Sequence, residues 1–367
     1  MKDNTLLRHC ASELTPFTPE LEDLPVEEMK RVLNLSKVAK LSFNEAPLGP
    51  SPLAIKAMQE AALNPNLYPD AESKILRDKL SSYYNLPIDN FAVSNGADEM
   101  IVLLSQAFLN EGEEVIIPFP TFGQYFASSK LMGAKPIKVE LTNFTIDLNK
   151  IKNEITDKSK MIILCNPNNP TGTIIGKELL LDFLKDLPKE IILVVDEAYA
   201  EYVASPDYES VLPLVSSYPN VIGIRTFSKI YGLAACRVGY AVADPGLIRA
   251  INKVRPPFNM NVFAQVGAVK ALHDQEYVQA IYNYNLEAKN KLYNFLEELK
   301  LPYIPSHTNF VFFDAQRDGR EVFNFLAQKG VLVRTAHGWG YPNYIRLTIG
   351  STEDMEMFYE GLKEFYY

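Results

Sequence analysis

Four short runs in the middle of the chain, residues 115–117, 161–165, 191–195 and 221–225, are apolar at nearly every position and rich in Val and Ile. Such runs, lacking polar alternation, predict strands buried on both faces. Between them the apolar spacing lengthens to a helical period, as in residues 176–187. Buried strands separated by helices predict an α/β fold, a mostly parallel sheet sandwiched by helices.

The C-terminal part reads differently. Asp274 caps a predicted long helix reaching about Leu299, with Val278, Ile281, Leu292, Phe295 and Leu299 as its apolar stripe. A strand over 309–313, a helix over 319–329, strands over 331–334 and 344–348 and a final helix from near Ser351 follow. Asp354 stands three residues after Ser351, as in a capping box. This pattern is α+β. At the other end Pro16, Pro19 and Pro25 punctuate an extended arm, followed by a short helix over 26–33. The expected division is an arm over 1–40 packing on the small domain, a large domain over 41–275 and a smaller α+β domain over 276–367.

Polar and special residues collect where the buried runs end. Residues 161–165 lead into Asn166-Pro-Asn-Asn-Pro-Thr-Gly172, 191–195 into Asp196-Glu-Ala-Tyr199, and 221–225 into Thr226-Phe-Ser-Lys229. Open α/β sheets bind ligands beyond the carboxyl ends of their strands, so the three clusters are expected to face one crevice. Ser94-Asn-Gly-Ala-Asp98 opens a helical pattern, and a glycine at a helix start suits an approaching phosphate. Each feature has a plain reading by itself. The Asn-Pro run is a tight turn, Asp196-Glu197 an ordinary helix start, Lys229 a solvated lysine, and Arg237 and Arg346 structural ion-pair partners. Their order and their shared place at strand ends favour one composite site.

Composition narrows the field. A chain of 367 residues, 47% hydrophobic and 22% charged, suits two domains. A net charge of -9 without a basic run argues against nucleic acid. No apolar run has the length of a signal peptide or membrane span, so a cytoplasmic protein is expected. Three widely spaced cysteines, Cys10, Cys165 and Cys236, have neither disulfide-framework nor metal-ligand spacing, and no metal is expected.

These motifs together are recognisable. Asn-Pro-Asn-Asn-Pro-Thr-Gly, Asp-Glu-Ala-Tyr, and Ser-Lys followed by Arg237-Val-Gly-Tyr240 resemble the fold-type I aminotransferases. Asn44-Glu45, Pro47-Leu-Gly-Pro-Ser-Pro52, Tyr68-Pro-Asp70, Lys253-Val-Arg-Pro-Pro-Phe-Asn259 and Ile345-Arg-Leu-Thr-Ile-Gly350 are similar to the histidinol-phosphate aminotransferase subfamily. The resemblance covers nearly the whole chain. It implies the pyridoxal-5'-phosphate-dependent transamination of histidinol phosphate or imidazole-acetol phosphate, with 2-oxoglutarate or glutamate, in L-histidine biosynthesis. An aromatic amino-acid aminotransferase on the same scaffold is the alternative. A phosphoamino-acid decarboxylase and a non-catalytic ligand sensor fit the motifs less well.

The resemblance also implies roles. Lys229 would bind the cofactor as a Schiff base and move the substrate's α-proton. Asp196 would face the ring nitrogen, and Asn169 and Tyr199 the phenolic oxygen. Gly96, Ala97, Asp98, Thr226, Ser228 and Arg237 would hold the phosphate. Phe122 would stack on the ring, with Tyr125 in reserve. Tyr68 would reach the phosphate of a neighbouring subunit, making the active unit a homodimer with shared sites. Arg334 and Arg346 would hold the substrate's anionic end, beside Asn44. Phe17 stands where the subfamily usually carries a tyrosine that touches substrate.

Overall fold

The computed structural model describes residues 8–12, 14–16 and 18–367; Phe17 therefore lies outside the described residues. The arm ends in a two-residue strand, β1 (Ala39–Lys40). The large sheet takes β2 (Phe91–Ser94), β3 (Glu114–Phe119), β4 (Lys135–Glu140), β5 (Ser159–Cys165), β6 (Ile192–Asp196), β7 (Val221–Thr226) and β8 (Gly239–Ala243). Its order is β2-β8-β7-β6-β5-β3-β4. The block from β7 to β4 is parallel, while β8 runs antiparallel to both β7 and β2.

Alternation along these strands feeds two apolar layers. Met161, Ile163, Ile192 and Val194 pack into one buried cluster, with Ala92, Met100, Ile117 and Tyr125. Ile162, Leu164, Leu193 and Val195 pack into another, under Leu180, Phe183 and Leu184 of the helix Lys177–Asp186. Every residue of β6 is buried, which is why the sequence there carries no polar position until Asp196.

The remaining strands are β9 (Tyr303–Ile304), β10 (Phe310–Asp314), β11 (Val331–Leu332), β12 (Arg334–Thr335) and β13 (Tyr344–Thr348). They form a sheet ordered β12-β13-β10-β9, with β11 excluded from it. The expected single strand over 331–334 is thus two. Val331 and Leu332 pair in parallel with Ala39 and Lys40 of the arm, whereas Arg334 and Thr335 pair with Arg346 and Ile345. Val333, fully buried, is the switch between the two partners.

The long helix is Gln275–Glu298, and Asp274 caps it by accepting from Tyr277 N. Ile281 joins the core cluster that holds Phe91, Phe227 and Tyr240. Leu292 and Leu296 join a separate cluster with Leu41, Val311, Phe313 and Phe358. One helix is therefore rooted in two cores. The last helix, Thr352–Tyr366, starts with the reciprocal Ser351–Asp354 capping box.

Candidate active site

Asp196 is the last residue of β6 and its carboxylate is 4% exposed. One oxygen accepts from Tyr125 Oη at 2.8 Å and the other from Ala198 N at 3.0 Å. Burial pushes this carboxyl up to about 6, against the lowering effect of those two donors. No ion pair neutralises it among the described residues. Tyr125 is fully buried and committed to this hydrogen bond, so the expectation that it could replace Phe122 as a ring-stacking residue is corrected. Phe122 is partly exposed, with its ring edge-to-face against Tyr125 at 5.6 Å.

Glu197, next in the chain, points the other way and is fully buried. Its carboxylate accepts from Ser210 Oγ (2.7 Å), Val211 N (2.8 Å) and Arg225 Nε (3.0 Å). Arg225 also pairs with Glu201 at 2.9 Å. The segment after Asp196 is thus a turn bolted by a buried ion pair, not a helix start. Spacing in sequence carried no sign of this pair, since Glu197 follows β6 while Arg225 lies on β7.

Lys229 follows β7 by three residues and is partly buried, its Nζ donating to Phe43 O at 3.0 Å. Burial lowers its amine to about 8, with the positive charge of Arg346 adding to the effect. Its Nζ stands 5.6 Å from the centre of the Tyr199 ring. Strands β6 and β7 are parallel neighbours, with Asp196 opposite Ile224, so Asp196 and Lys229 both stand at the carboxyl end of the same pair of strands.

Tyr199 is buried, and its hydroxyl accepts from Asn44 Nδ2 at 2.9 Å. Asn44 adopts φ 57° and is gripped by Thr348 and by Asn309, which donates to its carbonyl at 3.0 Å. Asn169 is buried, with its Oδ1 accepting from Arg346 Nη1 at 2.6 Å. Its loop is braced by Asn168, which donates to Pro120 O and Thr171 Oγ1 and accepts from Thr121 Oγ1.

The opposite wall is built around Gly96, the N-cap of the helix Ala97–Phe108. Gly96 adopts φ 87°, and a Cβ there would lie 2.8 Å from Arg237 Nη2. That guanidinium pairs with Asp98 at 2.9 Å and reaches Ser228 Oγ at 3.5 Å. Thr226 and Ser228 are buried, linked by Ser228 N donating to Thr226 Oγ1 at 3.1 Å. The motif ending at Asn259 serves the same wall: Asn259 Nδ2 donates to Glu99 at 2.6 Å, and Glu99 receives Asn95 N at 2.5 Å.

Arg346 lies on β13, 6% exposed. Besides Asn169 it donates from Nη2 to Ser42 O, and its buried Nε–H has no partner among the described residues. Burial lowers the guanidinium to about 10. Arg334 is its Cα partner across the strand pair, and Arg334 Nη1 donates to Asp23 Oδ1 of the arm at 3.2 Å. Tyr68 is apart from this assembly: it is 84% exposed, with its ring 5.0 Å from that of Phe258.

The site therefore combines a buried carboxylate, an amine of lowered basicity, a glycine-capped helix start beside an arginine, and a second, deeper arginine. Residues 36–362 match the family model described as aminotransferase class I and II. The chain belongs to that family, and its fold is that of the fold-type I transferases. Within the family it is similar to histidinol-phosphate aminotransferases. It is 44% identical to the one from Moorella thermoacetica over 97% of this chain and 92% of the relative. It is 41% identical to the one from Caldicellulosiruptor saccharolyticus over 98% and 99%. The crystal structure of histidinol-phosphate aminotransferase from Sinorhizobium meliloti in complex with pyridoxal-5'-phosphate superposes with a TM-score of 0.89. It is 25% identical, over 98% of each chain.

Proposed function

We propose that this protein is a pyridoxal-phosphate-dependent histidinol-phosphate aminotransferase. It would exchange an amino group between histidinol phosphate or imidazole-acetol phosphate and 2-oxoglutarate or glutamate, in L-histidine biosynthesis. The relatives' names favour this substrate over the aromatic amino acids. The carrying observation is the placement of the buried Asp196 carboxylate and the Lys229 amine at the carboxyl ends of the adjacent parallel strands β6 and β7.

The residues fit the cofactor. A buried carboxylate with hydrogen-bond donors but no ion-pair partner suits a protonated ring nitrogen. The missing Cβ at Gly96 keeps the space beside Arg237 open, as a bound phosphate requires. Pyridoxal phosphate, when bound, supplies an electron sink for the substrate's α-carbon. Gly96, Ala97, Asp98, Thr226, Ser228 and Arg237 would hold its phosphate, and Phe122 would cover its ring. Asn169, through its free amide –NH2, and Tyr199 would hydrogen-bond its phenolic oxygen.

The chain's own groups then divide the work. Lys229 is the attachment point and the base that takes and returns the proton at the substrate's Cα. At about 8 its basicity leaves a useful neutral fraction near pH 7. Tyr125 and Ala198 N keep Asp196 charged despite its burial. Arg346 and Arg334 would bind the substrate's anionic end, with Asn44 fixing Tyr199 beside it. Two guanidinium forks match a phosphate dianion better than a lone carboxylate.

A homodimer is part of this reading. Leu63, Leu67, Tyr68, Ile75 and Phe258 leave an exposed apolar stretch near the mouth of the site, which a second copy would cover. Tyr68 would then serve the partner's phosphate. No helix among the described residues is long and apolar enough to cross a membrane, in keeping with a cytoplasmic enzyme.

The test is turnover. Pure protein with pyridoxal phosphate, histidinol phosphate and 2-oxoglutarate should form glutamate. No glutamate, with phenylalanine or tyrosine consumed instead, would replace the proposed substrate by an aromatic amino acid.

A further inference from the structure

The guanidinium of Arg346 is held along its edges and also across its plane. Its Cζ lies over the face of two aromatic rings, Phe310 and Trp339, each 5.4 Å from the ring centre. The two rings differ in kind. Phe310 is fully buried on β10, packed edge-to-face against Tyr199 at 5.2 Å. Trp339 is partly exposed and sits in the short 3-10 turn His337–Trp339, between β12 with Arg334 and β13 with Arg346.

The turn is built to return. Gly340 adopts φ 82°, and both Trp339 N and Tyr341 N donate to Ala336 O, at 3.0 and 3.1 Å. A side chain with a Cβ would be strained at Gly340. The connection thereby folds the indole back over the guanidinium instead of leaving it in solvent. Phe312 supports the indole edge-to-face at 6.4 Å.

Resting on the reading of Arg346 as the anchor for the substrate's anionic end, we infer that Trp339 is a positioning residue that determines anion affinity at that arginine. The indole fixes the plane of the fork and shields it from water, so the buried Nε–H and the remaining N–H groups stay aimed and poorly hydrated until an anion arrives. Arginine is suited to this, since its delocalised cation stacks on aromatic faces while its edge donates. Loss of the indole leaves the charge in place but frees it to tilt and to hydrate.

The experiment compares holoenzyme carrying Trp339→Leu with Trp339→Phe. For the leucine variant the KM for histidinol phosphate should rise about tenfold, the equivalent of about 1.4 kcal/mol, while kcat falls far less. Phenylalanine, which restores a ring face, should recover most of the affinity. Equal KM in all three proteins, or a leucine variant whose defect lies in kcat alone, overturns the inference.

A second readout is independent of turnover. Trp339 is the single tryptophan of the chain, so its fluorescence reports this site. Titration of the wild-type holoenzyme with inorganic phosphate and with histidinol phosphate should give a saturable change, absent in Arg346→Gln. A saturable response to either anion without histidinol-phosphate turnover sinks the substrate assignment and keeps the role of Trp339. Normal turnover with no fluorescence response and an unchanged KM in Trp339→Leu does the reverse.

Discussion

Tyr125 donates its hydroxyl to the Asp196 carboxylate at 2.8 Å, in a place solvent scarcely reaches. The tyrosine is thus the support of the carboxylate, not a wall of the crevice. Burial already holds Asp196 near 6, and the hydrogen bond opposes that shift. The carboxylate must be charged to face a ring cation, so cofactor affinity of the apoprotein should weaken as pH falls through about 6. In Tyr125→Phe a donor to a charged acceptor is lost, worth roughly 1.5–3 kcal/mol. The acid limb should then move up by about one to two pH units, read as the pH dependence of the pyridoxal-phosphate Kd. An unmoved limb would refute the supporting role.

Lys229 should capture free cofactor in proportion to its neutral fraction. With the amine at about 8, the rate of covalent capture by apoprotein should rise about tenfold per pH unit below 8 and level off above it. Stopped-flow absorbance gives the curve. A rise continuing to pH 10 would mean an ordinary lysine. Lys229→Ala should show no capture and no measurable turnover.

Gly96→Ala places a Cβ 2.8 Å from Arg237 Nη2 on a backbone with φ 87°. The strain is on the order of 1–3 kcal/mol, seen as a lower denaturant midpoint. Cofactor binding should suffer at the phosphate end, with an apparent Kd raised by about tenfold or more. A variant with wild-type Kd would show that the phosphate is held elsewhere.

Lys289 is buried on the long helix, its Nζ donating to Ser306 O at 2.6 Å, with no carboxylate partner among the described residues. Burial lowers it to about 8. A lysine depressed on folding destabilises the native state while charged. Below pH 8 that penalty is complete, and it is relieved as pH rises toward the unfolded value of about 10.4. Stability should therefore climb between pH 8 and 10, by no more than about 3 kcal/mol. Lys289→Met should be flat across that window in urea titrations. The same slope in both proteins would exonerate the lysine.

Subunit sharing has a direct test. Lys229→Ala and Tyr68→Ala chains, each inactive or nearly so, should regain roughly a quarter of wild-type activity when unfolded and reassembled together. Half the dimers would be mixed, each with one intact site. No recovery would place Tyr68 in its own chain's site.

The strands legible from sequence were those whose every face is buried, so that Val and Ile run unbroken. Lys135–Glu140 escaped notice because it is the sheet edge, with exposed Lys135, Lys138 side exposure and a proline in the strand. Phe91–Ser94 and Gly239–Ala243 are short and end in small residues, which resemble turn chemistry. Asp196 and Lys229 were readable as strand-end groups because chain order carries them straight off β6 and β7. Their supports were not. Tyr125 and Trp339 are aromatic residues that look like core, and Glu197 meets Arg225 only through the pairing of β6 with β7. On the long helix, Asn285, Lys289 and Tyr293 form a polar stripe bonded to residues 306–308, beside the apolar one. A search for apolar period passes over it.

The division of residues 331–335 between two partners has a mechanical outcome. Leu332 grips the arm, and Arg334, two residues later, receives Asp23 from that same arm while lying opposite Arg346. A chain trimmed to begin at Leu41 would shed the parallel partner and the carboxylate in one cut. With Arg334 and Arg346 in their proposed roles, the loss would register where a substrate's negative charge is weighed, and the leading segment would then serve selectivity as well as packing.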